Sequence, residues 1–148
     1  MNVRIHRLSP AVRLPEYHSH GAAAFDLQAS ADVTVAPGEV ALVPTGLVVE
    51  VPDGYFLAVV ARSSLPMKKR LMVANGVGVV DSDYCGPGDE IKVEVYNFGT
   101  EPVSISAGER IAQGLVLPAV RVEWEEVDAP RQNSRGGFGA TGGYAEEG

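Results

Sequence analysis

The chain is expected to fold as an all-β domain of the sandwich, jelly-roll or barrel type, and three observations carry that expectation. Short runs rich in β-branched and aromatic residues recur along its 148 residues. Pro, Gly and Asp punctuate these runs about every eight to twelve residues, the turn spacing of antiparallel β domains. No alternation of strands with helical periods occurs, which argues against a doubly wound parallel sheet.

The expected strands are residues 3–8, 23–29, 40–43, 47–51, 55–61, 91–98, 110–117 and 120–127. Period-two alternation is plain from Ile91 to Tyr96, where odd positions are apolar and even positions face water. Ala36-Pro37-Gly38-Glu39 and Val51-Pro52-Asp53-Gly54 are turns, because Pro presets φ and Gly accepts φ > 0. One short helix is expected: Ser63 or Ser64 caps it, Pro66 suits its first turn, and Met67-Lys68-Lys69-Arg70-Leu71 follow. Its basic residues lie toward the C-terminal end, where they complement the helix dipole. From about Ala129 the chain turns polar and glycine-rich. The expected organisation is therefore a β domain over 1–128 and a flexible arm over 129–148.

A chain of this length fits one domain and buries roughly 70% of its extended-chain surface on folding, enough to stand without staples. The one cysteine, Cys85, permits no intramolecular disulfide and fits a reducing compartment. No His neighbours Cys85 in sequence, so it reads as a passenger rather than a nucleophile. No apolar run approaches membrane-spanning length and the first residues lack the apolar core of a signal peptide. A soluble, cytoplasmic protein is expected. The net charge of −7 argues against nucleic acid or an anionic membrane as partner. A small anionic ligand remains compatible, because Arg62, Lys68, Lys69 and Arg70 cluster, and Arg131 and Arg135 lie in the arm. His6, His18 and His20 are dispersed, so a metal would be Mg²⁺ carried in on phosphate oxygens.

The most informative segment is NGVGVVDSDYCG, residues 75–86. An apolar run ends abruptly in Asp81, Ser82, Asp83 and Tyr84, placing two carboxylates and a phenol at the mouth of an expected buried hairpin. Carboxylates beside a core are costly unless paired or used. Alone, the segment reads as an Asx-type turn. Arg62-Ser63-Ser64 sets a guanidinium fork and two hydroxyls at a helix start, which suits phosphate; it suits a plain helix cap equally well. The glycines of residues 136–143 could wrap phosphate with backbone N–H groups, although a flexible terminus is the simpler reading. Phe138 is the exception there, since stacking on a base contributes about 1–3 kcal/mol. Asp26 and Gln113 are polar residues inside apolar runs. Trp124 reads as packing at a core edge or a subunit interface.

Taken in order, AAAFDL, ARSSL, NGVGVVDSDYCG, GERIAQ and RGGFGATG resemble the five motifs of trimeric deoxyuridine triphosphatases (dUTPases), across residues 22–142. The resemblance implies an all-β jelly-roll barrel and a homotrimer whose three active sites draw on all subunits, with the C-terminal arm as lid. It implies Mg²⁺-assisted hydrolysis of dUTP to dUMP and pyrophosphate, which serves nucleotide-pool sanitation and dTTP precursor supply.

Residue by residue, the resemblance makes Asp81 the general base and Tyr84 the wall that excludes a 2′-hydroxyl. Asn75 and the backbone of Val79, Val80 and Asp81 read uracil, with Lys92 a further contact. Arg62, Ser63 and Ser64 hold phosphates, and Gln113 is the polar contact of the fourth motif. Asp26 orients water around Mg²⁺. Phe138 stacks over uracil while Arg135, Gly139 and the neighbouring glycines close on the terminal phosphates. Unpaired polar groups would reject dCTP, whereas dTTP needs a rigid steric wall, because one methyl is worth only about 10–200-fold.

The chain departs from the family pattern at Ala24 and Phe25, where Gly and Tyr are common. Extra residues occur around Pro87-Gly88-Asp89, Arg135 lies closer to Phe138, and Ala140 replaces a frequent Ser. Two alternatives stand beside this reading. A dCTP deaminase shares the fold and the Arg-Ser-Ser segment, but its arm lacks the GGFG signature. A catalytically idle trimer would bind nucleotide without turnover.

Overall fold

Eleven strands and one five-residue helix account for the regular structure, seen in a computed structural model that describes residues 1–131, 133–138 and 142. The strands are β1 Arg4–Arg7, β2 Phe25–Gln28, β3 Val33–Val35, β4 Val40–Pro44, β5 Leu47–Glu50, β6 Tyr55–Ala61, β7 Leu71–Val73, β8 Gly78–Val80, β9 Lys92–Asn97, β10 Val103–Ile105 and β11 Arg110–Pro118. They pair antiparallel in a four-stranded sheet of order β2-β11-β6-β8, a three-stranded sheet β4-β9-β7 and the ribbons β1-β5 and β10-β3. The fold is nearly all-β, as expected, but the sheets do not close into a barrel.

The core lies between the sheets. Leu27, Leu57 and Ile111 of the first meet Val43, Leu71, Val93 and Val95 of the second, all at most 1% exposed. The alternation read from residues 91–96 holds: Val93 and Val95 are buried while Lys92 is exposed and Glu94 and Tyr96 are half-buried. The buried Asn97 is fully used. Its amide donates to the carbonyls of Val35 and Glu101, and its oxygen accepts from the Gly99 N–H.

Four departures from expectation have physical causes. Residues 120–127 form no strand, and Val120, Val122 and Trp124 are exposed, because no strand among the described residues pairs with them. Trp124 therefore does not pack at a core edge. The Val77–Val80 run is not buried throughout; only Val80 is, since β8 is an edge strand with one side open. The helix, α1, spans Leu65–Lys69, and Ser64 precedes it in a helical conformation without a side-chain cap bond. It stops because Arg70 turns left-handed, at φ 54°, and sends Leu71 into β7. The short strands β3, β7, β8 and β10 carry too few residues for period-two alternation to show in the sequence.

Candidate active site

The first half of the site is a cavity of about 430 Å³ between the open edge of β8 and the face of β9. Asn75, Val79, Val80, Asp81, Tyr84 and Lys92 all line it, so the hairpin residues singled out by sequence do converge. Edge strands leave one row of backbone N–H and C=O groups unpaired, a ready template for the donor and acceptor edge of a flat base. The floor is stiff. Gly78 faces Val59 of β6 so closely that a Cβ added there would lie 3.2 Å from the Val59 Cβ.

Asp81 follows β8 directly and is exposed, and the turn that it opens is closed by backbone, with the Tyr84 N–H donating to the Asp81 carbonyl at 3.2 Å. The Tyr84 hydroxyl donates to the Glu90 carbonyl at 3.3 Å, which stands its ring at the cavity rim. The extra residues around Pro87-Gly88-Asp89 close upon themselves. The Gly86 N–H donates to Asp89 Oδ2 at 2.7 Å, and the Asp89 N–H to the Gly86 carbonyl at 3.1 Å. Because that loop is self-contained, Lys92 still enters β9 opposite Pro44 and faces the cavity. Cys85 is a free, half-buried thiol whose Sγ lies 3.6 Å from the Ser82 carbonyl.

The second half is built around Asp26, only 6% exposed. Arg62 Nε lies 3.4 Å from Oδ1 and the Gln113 amide donates to the same oxygen at 3.3 Å. Arg110 Nη1 and His18 Nε2 lie 3.1 and 3.2 Å from Oδ2. Arg62 Nη1 also donates to the Arg110 carbonyl. Two guanidinium groups thus share one buried carboxylate and leave a surplus of positive charge with free N–H donors, the chemistry of a phosphate site. Ser63 is exposed and Ser64 half-buried immediately after Arg62.

Arg110 and His18 were not singled out by sequence. In a regular strand Arg110 and Gln113 point to opposite faces, since their spacing is odd. The register shift between Arg110 and Ala112 against β2 inserts one residue and reverses that parity, so both side chains reach Asp26. The quoted GERIAQ segment was the available signal, but no pattern in it announces the bulge.

The two halves are apart. Asp81 lies one residue past Val80, the partner of Leu57, while Asp26 is level with Gln113 and Val60, three strands away. At roughly 3.3 Å per residue and 4.8 Å between strands, about 20 Å separates the two carboxylates. Arg135 is exposed, and the Phe138 side chain is fully exposed in a left-handed turn residue, so neither joins the cavity within this chain. Gly139, Ala140 and Thr141 lie outside the described residues.

A metal cage is not built here: among the described residues no three His, Cys, Asp or Glu side chains cluster. Both Asp26 oxygens already face two donors each, which fills a carboxylate's usual acceptor capacity. The donor set fits a Mg²⁺ held by substrate phosphates, with protein oxygens touching it only through water.

The dUTPase family profile matches residues 11–142. A deoxyuridine 5′-triphosphate nucleotidohydrolase of Anaeromyxobacter sp. (strain Fw109-5) is 43% identical over 141 residues, covering 94% of each chain. Its counterpart in Desulfitobacterium hafniense (strain DSM 10664 / DCB-2) is 47% identical over 141 residues, covering 92% of this chain and 91% of the relative. Among solved structures, the dUTPase of Streptococcus mutans superposes with a TM-score of 0.76 at 30% identity, over 84% of this chain and 100% of that one. With the hairpin cavity, the paired guanidinium groups and the antiparallel jelly-roll-like sheets already in place, these likenesses settle the family: the chain is a member of the dUTPases.

Proposed function

We infer that the chain hydrolyses dUTP to dUMP and pyrophosphate, and the hairpin cavity ending in Asp81 is the observation that carries the reading. Hydrolysis of a phosphoanhydride needs a positioned water, a base for its proton and cations for the departing charge. Asp81, exposed at the cavity mouth, takes the proton of a water aimed at the α-phosphorus. The open edge of β8 with Asn75 and Lys92 holds the uracil, and Tyr84 stands against the deoxyribose. Arg62, with Ser63 and Ser64, holds phosphate oxygens, while Gln113 is the polar contact of the fourth motif and braces Asp26. A Mg²⁺ bound to the triphosphate supplies the remaining charge neutralisation.

A general base must lie within hydrogen-bond reach of its proton, about 2.6–3.2 Å directly. Asp81 cannot serve a phosphate held by Arg62 of the same chain, about 20 Å away on the strand lattice. The reading therefore includes a homotrimer in which the hairpin of one copy faces the Arg62–Arg110 pair of another. The segment after β11 supports it: Val120, Val122 and Trp124 are exposed on one chain and alternate with Arg121, Glu123 and Glu125, the pattern of a strand awaiting a sheet edge. The arm of residues 129–148 then closes over a neighbour's site, with Phe138 over the base and Arg135 and Gly139 toward the phosphates. Asp26 serves as the shared counter-ion that aims Arg62 and Arg110, and would orient water about Mg²⁺ once one of its four donors moves off a carboxylate oxygen. With no helix among the described residues long and apolar enough to cross a membrane, the cytoplasm, where nucleotides are made, is the proposed location.

The test is pyrophosphate release with Mg²⁺ from dUTP, dCTP, dTTP and UTP in parallel, with sedimentation of the enzyme. Turnover of dUTP alone by a trimer supports the reading. Ammonia release from dCTP, or binding of dUTP without turnover, overturns it.

A further inference from the structure

Glu90 joins two residues of the hairpin cavity to a distant turn, and no role in the reaction has been assigned to it above. Its carbonyl accepts the Tyr84 hydroxyl at 3.3 Å. Its carboxylate, on a side chain 18% exposed, accepts the Gly46 N–H at 2.8 Å through Oε1 and lies 4.0 Å from Lys92 Nζ through Oε2. Gly46 sits in the turn between β4 and β5 at φ +68°, so tightly that a Cβ there would lie 2.4 Å from Val12 Cγ2. The same turn grips the next residue: Thr45 Oγ1 donates to the Ile91 carbonyl at 2.6 Å, and the Ile91 N–H donates to the Leu47 carbonyl at 2.8 Å. Glu90 is thus fixed from behind by a turn with no freedom to move, and it faces the cavity with the one acceptor that holds the Tyr84 ring upright.

We propose that Glu90 is a positioning residue for sugar selectivity, which locks the Tyr84 ring against the deoxyribose by tying its hydroxyl acceptor to the Thr45–Gly46 turn. The proposal rests on the dUTPase reading of the cavity. A ring excludes a 2′-hydroxyl only if it cannot give way, and an exposed tyrosine at a rim has rotamer freedom unless its far end is held. The self-closed loop of residues 86–89 cannot hold it, since its hydrogen bonds are spent internally. The accepting carbonyl is main chain: its peptide is held on one side by the Ile91 N–H on Leu47, and the Glu90 carboxylate supplies the second tether, to Gly46.

The experiment measures kcat/KM for dUTP and for UTP in the wild type, E90Q, E90A, Y84F and the E90A/Y84F double variant, with thermal melts as a check on folding. E90Q keeps an acceptor for Gly46 and is expected to keep the wild-type dUTP/UTP ratio. E90A and Y84F are each expected to lower that ratio about three- to tenfold, the factor that one net hydrogen bond contributes. The double variant is expected to fall no further than either single one, because E90A frees the residue-90 carbonyl from the Gly46 turn and Y84F removes the hydroxyl that this carbonyl accepts, two points on one chain of contacts. A purely structural Glu90 would lower turnover of both substrates equally and leave the ratio unchanged; that result, or additive losses in the double variant, overturns the proposal. Should E90A fail to fold, an unchanged ratio in Y84F overturns it by itself. A wild type that leaves dUTP intact overturns the dUTPase reading instead.

Discussion

Asp81 and Asp26 are carboxylates in opposite situations. Asp81 is exposed at the end of an edge strand, and its value lies in where it points. Asp81→Asn keeps the shape and removes the base, so kcat for dUTP is expected to fall about 10²–10⁴-fold with binding of a non-hydrolysable analogue retained; near-normal turnover would remove Asp81 from the role. Asp26 is buried between two guanidinium groups, and its value is what it holds. Asp26→Ala leaves Arg62 and Arg110 facing each other without a counter-ion and is expected to destabilise the chain by about 1–3 kcal/mol, read from urea unfolding, and to raise KM for dUTP. Asp26 and Gln113 could be picked out because a polar residue in an apolar run asks for a partner. Arg110 could not, because arginine after a turn is ordinary and its reach to Asp26 depends on a bulge.

At the scale of elements, β11 organises the half of the site built around Asp26. Its bulge turns Arg110 toward Asp26, and its Gly114 makes room for Phe25 of β2. An added Cβ at Gly114 would lie 2.3 Å from Phe25 Cε2 and 3.1 Å from Leu57 Cδ1. Gly114→Ala is therefore expected to cost about 1–3 kcal/mol as an overpacked core, seen as a lowered denaturation midpoint, and to disturb dUTP binding through β2. The strand 55–61 could be placed to the residue because its length and β-branched content outweigh any rival. Residues 78–80 read as part of a longer buried run, since periodicity in so short a segment does not tell an edge strand from a central one.

On the proposed reading no site is complete within one chain: Asp81 and the Arg62–Arg110 pair stand about 20 Å apart on the strand lattice. Shared sites predict complementation. Mixing inactive D81N with inactive R62A subunits and refolding them together should restore about a quarter of wild-type activity, because that fraction of sites receives both intact halves; no recovery would place the whole site in one chain. Removing the residues after Gln132 is expected to spare folding and assembly, judged by melting and sedimentation, and to abolish efficient turnover. Chelation of Mg²⁺ should stop turnover yet leave the melting temperature in place, since no cluster of metal-binding side chains supports the fold among the described residues.

The sequence by itself determined the class of fold and the identity of the chemistry. Turn residues and β-branched runs act locally, and the five motifs carry their residue types in order whatever the chain does between them. Only the tertiary structure decided that the barrel stays open, that residues 120–127 pair with no strand among the described residues, and that Arg110 joins Arg62 on Asp26. Those outcomes depend on which strand lies beside which and on a one-residue shift of register, and neither leaves a mark on local periodicity.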